Sequence, residues 1–191
     1  TGNAKKSSDI DIFVVVKPGW IWLARLWLTV ITQLFGIRRR GEYDENLFCL
    51  NHYVTSDSLE RTDHDIYSAQ LYSDYYAIGT QSQELLRQFW IKNSWTKSYF
   101  PCAVGRTHIA LEKLTPYPGS GAVEKVIQVL GGRLCNRLVG WIQYKKIMAN
   151  PRSQKPNSRI YASDKELEFH PLPNSLKVQK KIQKRKSELK L

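Results

Sequence analysis

Two aspartates one residue apart, Asp9 and Asp11, are the residues of this chain best suited to chemistry. They open the apolar run Asp9-Ile10-Asp11-Ile12-Phe13-Val14-Val15-Val16. In an extended strand, side chains at i and i+2 project from one face. Two carboxylates so placed repel each other unless a cation lies with them. Mg²⁺ prefers oxygen ligands and keeps waters and substrate phosphates in its shell, so the pair suits Mg²⁺ or Mn²⁺ holding a triphosphate. A pair of such ions can stabilise both an attacking oxygen and a departing pyrophosphate. The small and polar stretch Gly2-Asn3-Ala4-Lys5-Lys6-Ser7-Ser8 suits a loop that approaches phosphate closely, with Gly2, Ser7 and Ser8 as candidate nucleotide contacts. Glycosyltransferases also use Asp-x-Asp, but there the apolar strand usually runs into the motif, whereas here it runs out of it.

The elements that must position this pair follow from periodicity. Residues 10–16 read as a strand apolar on both faces, closed by Pro18-Gly19, and such a strand belongs inside a sheet covered by helices. Residues 20–37 form a helix whose polar positions, Arg25, Thr29, Thr32, Gln33 and Gly36, make one narrow stripe on an otherwise apolar surface. A central Arg costs roughly 2.5–3.5 kcal/mol in a bilayer, so this helix is expected to pack on a sheet, and no membrane partner is expected. Residues 47–54 are a second strand, 56–65 a polar loop, and 66–76 and 82–97 helices. A linker at 116–121 precedes a long helix at 122–148 interrupted by Gly131-Gly132. A second polar linker, 151–157, leads to a short strand and turn at 159–170. The expected fold class is α+β (mixed α/β), with a strand-rich first third and a mainly helical C-terminal half. The expected divisions are 1–65, a helical region at 66–175 and a basic tail at 176–191.

Gly2-Asn3-Ala4-Lys5-Lys6-Ser7-Ser8-Asp9-Ile10-Asp11-Ile12-Phe13 resembles the second half of the signature of the DNA polymerase beta-like nucleotidyltransferase superfamily. There a Gly-Ser turn sits shortly before an Asp-x-Asp strand. Phe48-Cys49-Leu50-Asn51, Tyr67-Ser68-Ala69, Asn93-Ser94-Trp95, Tyr99-Phe100-Pro101 and Phe169-His170-Pro171 resemble one bacterial branch of it. The resemblance implies a mixed sheet flanked by helices. It also implies transfer of a nucleoside monophosphate from a nucleoside triphosphate to an acceptor. Two departures stand out. Gly2 has no following Ser and lies close to Asp9, as expected of a segment of a longer protein whose Gly-Ser turn lies upstream. The family's third carboxylate usually sits on a neighbouring strand, and the matching strand here offers Asn51 as the third ligand, with Asp44, Glu45 and Asp57 as substitutes.

The remaining composition sets the rivals. The chain has 191 residues, 42% of them apolar, and a net charge of +12, which fits a folded globular protein. Cys49, Cys102 and Cys135 stand far apart with no C-x-x-C pair, the expectation for reduced thiols in a cytoplasmic protein. Residues 176–191 hold seven Lys or Arg against Glu188 alone, a net +6, and could contact nucleic-acid phosphates. With few apolar residues, that tail is expected to be dispensable for the fold. His52, His64, His108 and His170 form no H-x-x-x-H or H-E pair and are expected to be structural or surface residues. Lys5, Lys6 and Lys17 could meet phosphates, and Trp90, Trp95, Tyr99 and Phe100 could stack a base. The alternatives to an enzyme are an inactive binding module of the same fold and a membrane-associated protein using residues 20–37.

Overall fold

The computed structural model describes residues 8–39, 45–73, 75–77, 83–101, 108–109, 132–155, 158–170 and 174–188. The fold is α+β, as expected, and the chain divides into two compact units: residues 2–58 with 118–171, and residues 59–117 with 172–191. Gly2, Ser7, Lys5, Lys6, Asp44, the 116–121 linker and the 122–131 part of the long helix lie outside the described residues.

The first unit is built on strand β1 (Ile10–Val16), helix α1 (Ile21–Leu34) and strand β2 (Phe48–Thr55). β1 and β2 pair in parallel, with α1 as the crossover. The second unit contains helix α2 (Ile66–Ser73), a short parallel pair of β3 (Tyr76–Ala77) and β4 (His108–Ile109), and helix α3 (Gln83–Lys92), which runs into a 3₁₀ turn at Ser94–Ser98. Helix α4 (Gly132–Met148) and the antiparallel hairpin β5 (Arg159–Ala162) and β6 (Glu166–His170) return to the first unit. Helix α5 (Asn174–Glu188) belongs to the second.

The sheet order is β1-β2-β6-β5, with β6 antiparallel to β2. Two expectations are corrected here. Residues 66–175 are not helical throughout, because β5 and β6, from within them, join the sheet begun by β1 and β2. Among the described residues β1 is an edge strand, and it is not buried on both faces: Ile10 is 46% and Phe13 37% exposed. Among the described residues, one sheet face is the core, where Val14 and Val16 of β1, Tyr53 of β2, Leu167 of β6 and Ile160 of β5 pack with Ile21, Trp22 and Ile147.

Part of the polar stripe of α1 turns inward, although Gln33 and Gly36 stay exposed. Arg25 turns inward, hydrogen-bonded to Gln143 Oε1 with its guanidinium 4.6 Å over the Phe169 ring, and the buried Thr32 hydroxyl donates to Leu28 O at 2.6 Å. Because these groups find partners inside, the stripe is not forced toward water. The start of α1 has no side-chain cap of its own. Asn136 Oδ1 on α4 accepts from the backbone N–H of Trp22 and Leu23, both at 3.1 Å, satisfying two of the donors every helix start leaves open.

In the second unit, Asp65 Oδ1 accepts from Ser68 N at 2.7 Å and caps α2. Asn93 joins the loop to α3, donating through Nδ2 to Leu59 O at 2.8 Å and accepting from Arg61 N at 3.0 Å. Trp95 stacks on His64 with ring centroids 4.3 Å apart. The Asn93-Ser94-Trp95 segment thus has a packing role here. The basic segment is not a separate tail: α5 lies against α2, with Val178 and Ile182 half-buried. Removing residues 174–191 is therefore expected to cost about 1–3 kcal/mol, the worth of two partly buried side chains, measured as a lowered urea midpoint. An unchanged midpoint would mean that α5 contributes no packing.

Candidate functional site

The sheet face opposite the core is polar, and alternation explains why. Along β1, Val14 and Val16 face the core, so Asp9, Asp11 and Phe13 face away. Backbone pairing holds the start of β1: Ile10 N donates to Leu47 O at 2.9 Å and Asn46 N to Ser8 O at 3.1 Å. The segment after α1 runs beside β2, with Phe48 N donating to Ile37 O at 2.8 Å and Arg39 N to Phe48 O at 3.1 Å. That path delivers Arg39 to the site, where its Nη1 meets Asp9 Oδ2 at 2.6 Å and Cys49 Sγ at 3.7 Å.

Asp11 stands opposite Cys49 in the β1–β2 register, and Phe13 opposite His52. β1 advances two residues while β2 advances three, so β2 carries one extra residue, a bulge that re-aims its side chains. Asn51 falls in that bulge, half-buried, and the side chain facing Asp11 is Cys49. The ligand atoms of Asp9, Asp11 and Cys49 lie within 4.8 Å of one another and could hold a metal ion.

Burial pushes the Asp11 carboxyl above its ordinary value of 3.8, and the charge of Asp9 adds to this, while His170, the Cys49 thiol and Arg39 pull it back. Burial likewise raises the Cys49 thiol to about 12, so at neutral pH Cys49 is a neutral donor to Asp11. The donor set therefore fits a metal ion held by two carboxylates, with the thiol hydrogen-bonding from the side. Because folded Asp11 binds its proton more tightly than unfolded Asp11, its contribution to stability falls as pH rises from 3.8 through the raised pKa. Asp11→Asn should remove that loss. Urea unfolding across the acid range checks it, and identical pH profiles for the two proteins would refute it.

The same face extends across the sheet. On β6, Leu167 and Phe169 face the core, which turns Glu166, Glu168 and His170 to the polar side. His52 Nε2 lies 3.0 Å from Glu166 Oε1, and His170 Nδ1 lies 3.0 Å from Glu168 Oε1. Glu168 is 3% exposed, with Arg159 Nε 3.9 Å away. His52, Glu166 and Glu168 form a second group able to hold a metal ion. These residues were missed in the reading of residues 159–170 as a short strand and turn. The signal was present, since Glu166-Leu167-Glu168-Phe169-His170 alternates as strictly as Asp9-Ile10-Asp11.

Of the other candidates, Ser8 is half-buried beside Asp9, Lys17 is exposed past the far end of β1, and Glu45 and Asp57 lie outside β2 and in neither metal-capable group. Trp90, Trp95 and Tyr99 belong to the second unit, where Trp95 and Tyr99 meet edge-on at 6.1 Å. No family model matches the chain, and no curated protein or solved structure matches it either.

Proposed function

We propose that the chain is a metal-dependent nucleotidyltransferase, moving a nucleoside monophosphate from a triphosphate to an acceptor. The observation that carries this reading is the placement of Asp9 and Asp11 on one face at the start of β1, with their ligand atoms within 4.8 Å of one another. Mg²⁺ or Mn²⁺ on this pair would neutralise the triphosphate and the charge that develops as pyrophosphate leaves. In the transfer, the acceptor oxygen bonds to the α-phosphorus, the bond from that phosphorus to the β-phosphate oxygen breaks, and the acceptor's proton passes to a base. Arg39, already on Asp9, is placed to exchange that carboxylate for a phosphate oxygen. Glu168, in the second metal-capable group with His52 and Glu166, is the buried carboxylate we put forward for the third-carboxylate role expected of Asn51. It is buried on the same sheet face and hydrogen-bonded to His170, whose charge is felt by Asp11.

The inactive-module alternative is favoured by one observation, the Arg39–Asp9 pair, which occupies a carboxylate a cation would need. Incubation with α-phosphate-labelled nucleoside triphosphates, Mg²⁺ and pooled RNA, protein and small-molecule acceptors separates the two. Label transfer with pyrophosphate release supports the enzyme. Triphosphate binding without release, in the presence of every acceptor class, supports the inactive module.

A further inference from the structure

The helices covering the sheet place polar groups on the inward side and leave large apolar side chains on the outward side. On α4 the stripe turned inward is Gly132, Asn136, Gly140, Gln143 and Ile147, small or polar in all but the last position. Gly132 and Gly140 leave room for the rings of Trp20 and Trp22: a Cβ at Gly140 would lie 2.6 Å from Trp22 Cδ1. Asn136 and Gln143 bond the backbone of α1, the latter donating to Trp22 O at 2.9 Å. With polar groups satisfied within, large apolar side chains remain outside. Trp27, Ile31 and Leu34 of α1 are 50%, 44% and 79% exposed, and Leu138, Trp141 and Ile142 of α4 are 58%, 60% and 59% exposed. At 3.6 residues per turn each set lies on the side of its helix away from the sheet. The two helices pack against each other and on the same core, so both sets front one side of the unit.

An exposed apolar surface spread over two helices marks an interaction site, and charge selects the partner. Neither α1 nor α4 contains an Asp or Glu, while Arg133, Arg137, Lys145 and Lys146 of α4 are all exposed. Lys145 Nζ lies 4.0 Å over the Trp141 ring, its stem following the apolar surface. A second copy of the chain docking here would set one carboxylate-free cationic surface against another. An anionic bilayer satisfies both features, taking aromatic and aliphatic side chains at the headgroup boundary and pairing Lys and Arg with lipid phosphates.

We propose that the outward face of α1 and α4 docks the protein on an anionic lipid membrane surface. It lies on the membrane and does not cross it, since no helix of the described residues is long and apolar enough to span a bilayer. This departs from the expectation that no membrane partner exists, and it is independent of the metal reading. The Asp9–Asp11 face is on the other side of the sheet.

The test is co-sedimentation of the full chain with vesicles of phosphatidylcholine alone and of phosphatidylcholine with about one-third phosphatidylglycerol. The protein is expected to bind the anionic vesicles at low salt with a blue shift of tryptophan emission. Arg133→Glu, Arg137→Glu and Lys145→Glu together should weaken partitioning roughly a hundredfold. Leu34→Gln, Leu138→Gln and Trp141→Gln together should abolish the blue shift, circular dichroism staying unchanged in both variants. Absence of wild-type binding to anionic vesicles overturns the proposal, as does binding that the charge reversals leave intact. A dimer in ultracentrifugation that the apolar variant dissociates, without vesicle binding, would assign the face to a second copy.

Discussion

Replacing Asp9 and Asp11 together with asparagine should lower nucleotide transfer by at least about a thousandfold while leaving the fold intact. The asparagines keep the size of the side chains but remove both negative charges, so under the proposed function a cation, and a triphosphate held by it, would lose their anchor. Thermal stability should hold or rise slightly. Asp11 is desolvated and repelled by Asp9 in the folded state, which outweighs its attraction to His170, Cys49 and Arg39, and the Arg39–Asp9 ion pair is partly exposed and worth about 0–1 kcal/mol. Cys49→Ser should leave transfer within about threefold of wild type, because the thiol, raised to about 12, acts as a neutral hydrogen-bond donor that a hydroxyl replaces. Retained activity in the double asparagine variant, or its loss in Cys49→Ser, would move the chemistry away from the aspartates.

The largest expected effect on stability is at Trp22. Its ring is 3% exposed in the core, and its Nε1 donates to Asp164 Oδ1 at 2.7 Å. Trp22→Ala should cost about 3–5 kcal/mol by removing the ring and leaving a cavity between α1, α4 and the sheet. Gly140→Ala should cost about 1–3 kcal/mol for the opposite reason, since its methyl would lie 2.6 Å from Trp22 Cδ1. In the double variant the alanine methyl enters the space the indole vacates, so the summed single effects should exceed the double by about 1 kcal/mol or more. Strict additivity in urea unfolding would mean that Gly140 and Trp22 do not share that contact.

How much of this was legible in the sequence follows from which signals are local. β1 occupies the residues its apolar run predicts, Ile10–Val16, because Pro18-Gly19 closes it, with Gly19 at φ +82°. Asp9 and Asp11 come together because strand alternation is a two-residue rule. The residue opposite Asp11 was not legible, because a bulge breaks that rule between Cys49 and His52, and no residue type there announces one. The sheet partners of β2 were out of reach: β6 lies more than a hundred residues downstream, and pairing across that distance is chosen by packing. The helices misled for a related reason. A polar stripe faces water only when nothing inside can satisfy it, and Arg25 finds Gln143 and Phe169. Glu166, Glu168 and His170 could have been found by reading their alternation as the Asp-x-Asp alternation was read.

The most direct test of the central claim is a titration with Mn²⁺, free ion followed by electron paramagnetic resonance, on the wild type and on the Asp9→Asn, Asp11→Asn double variant. It is run with and without a non-hydrolysable nucleoside triphosphate. The account predicts that the wild type binds Mn²⁺, that the triphosphate tightens binding, and that the double variant shows neither effect. Equal Mn²⁺ binding by the two proteins would contradict it.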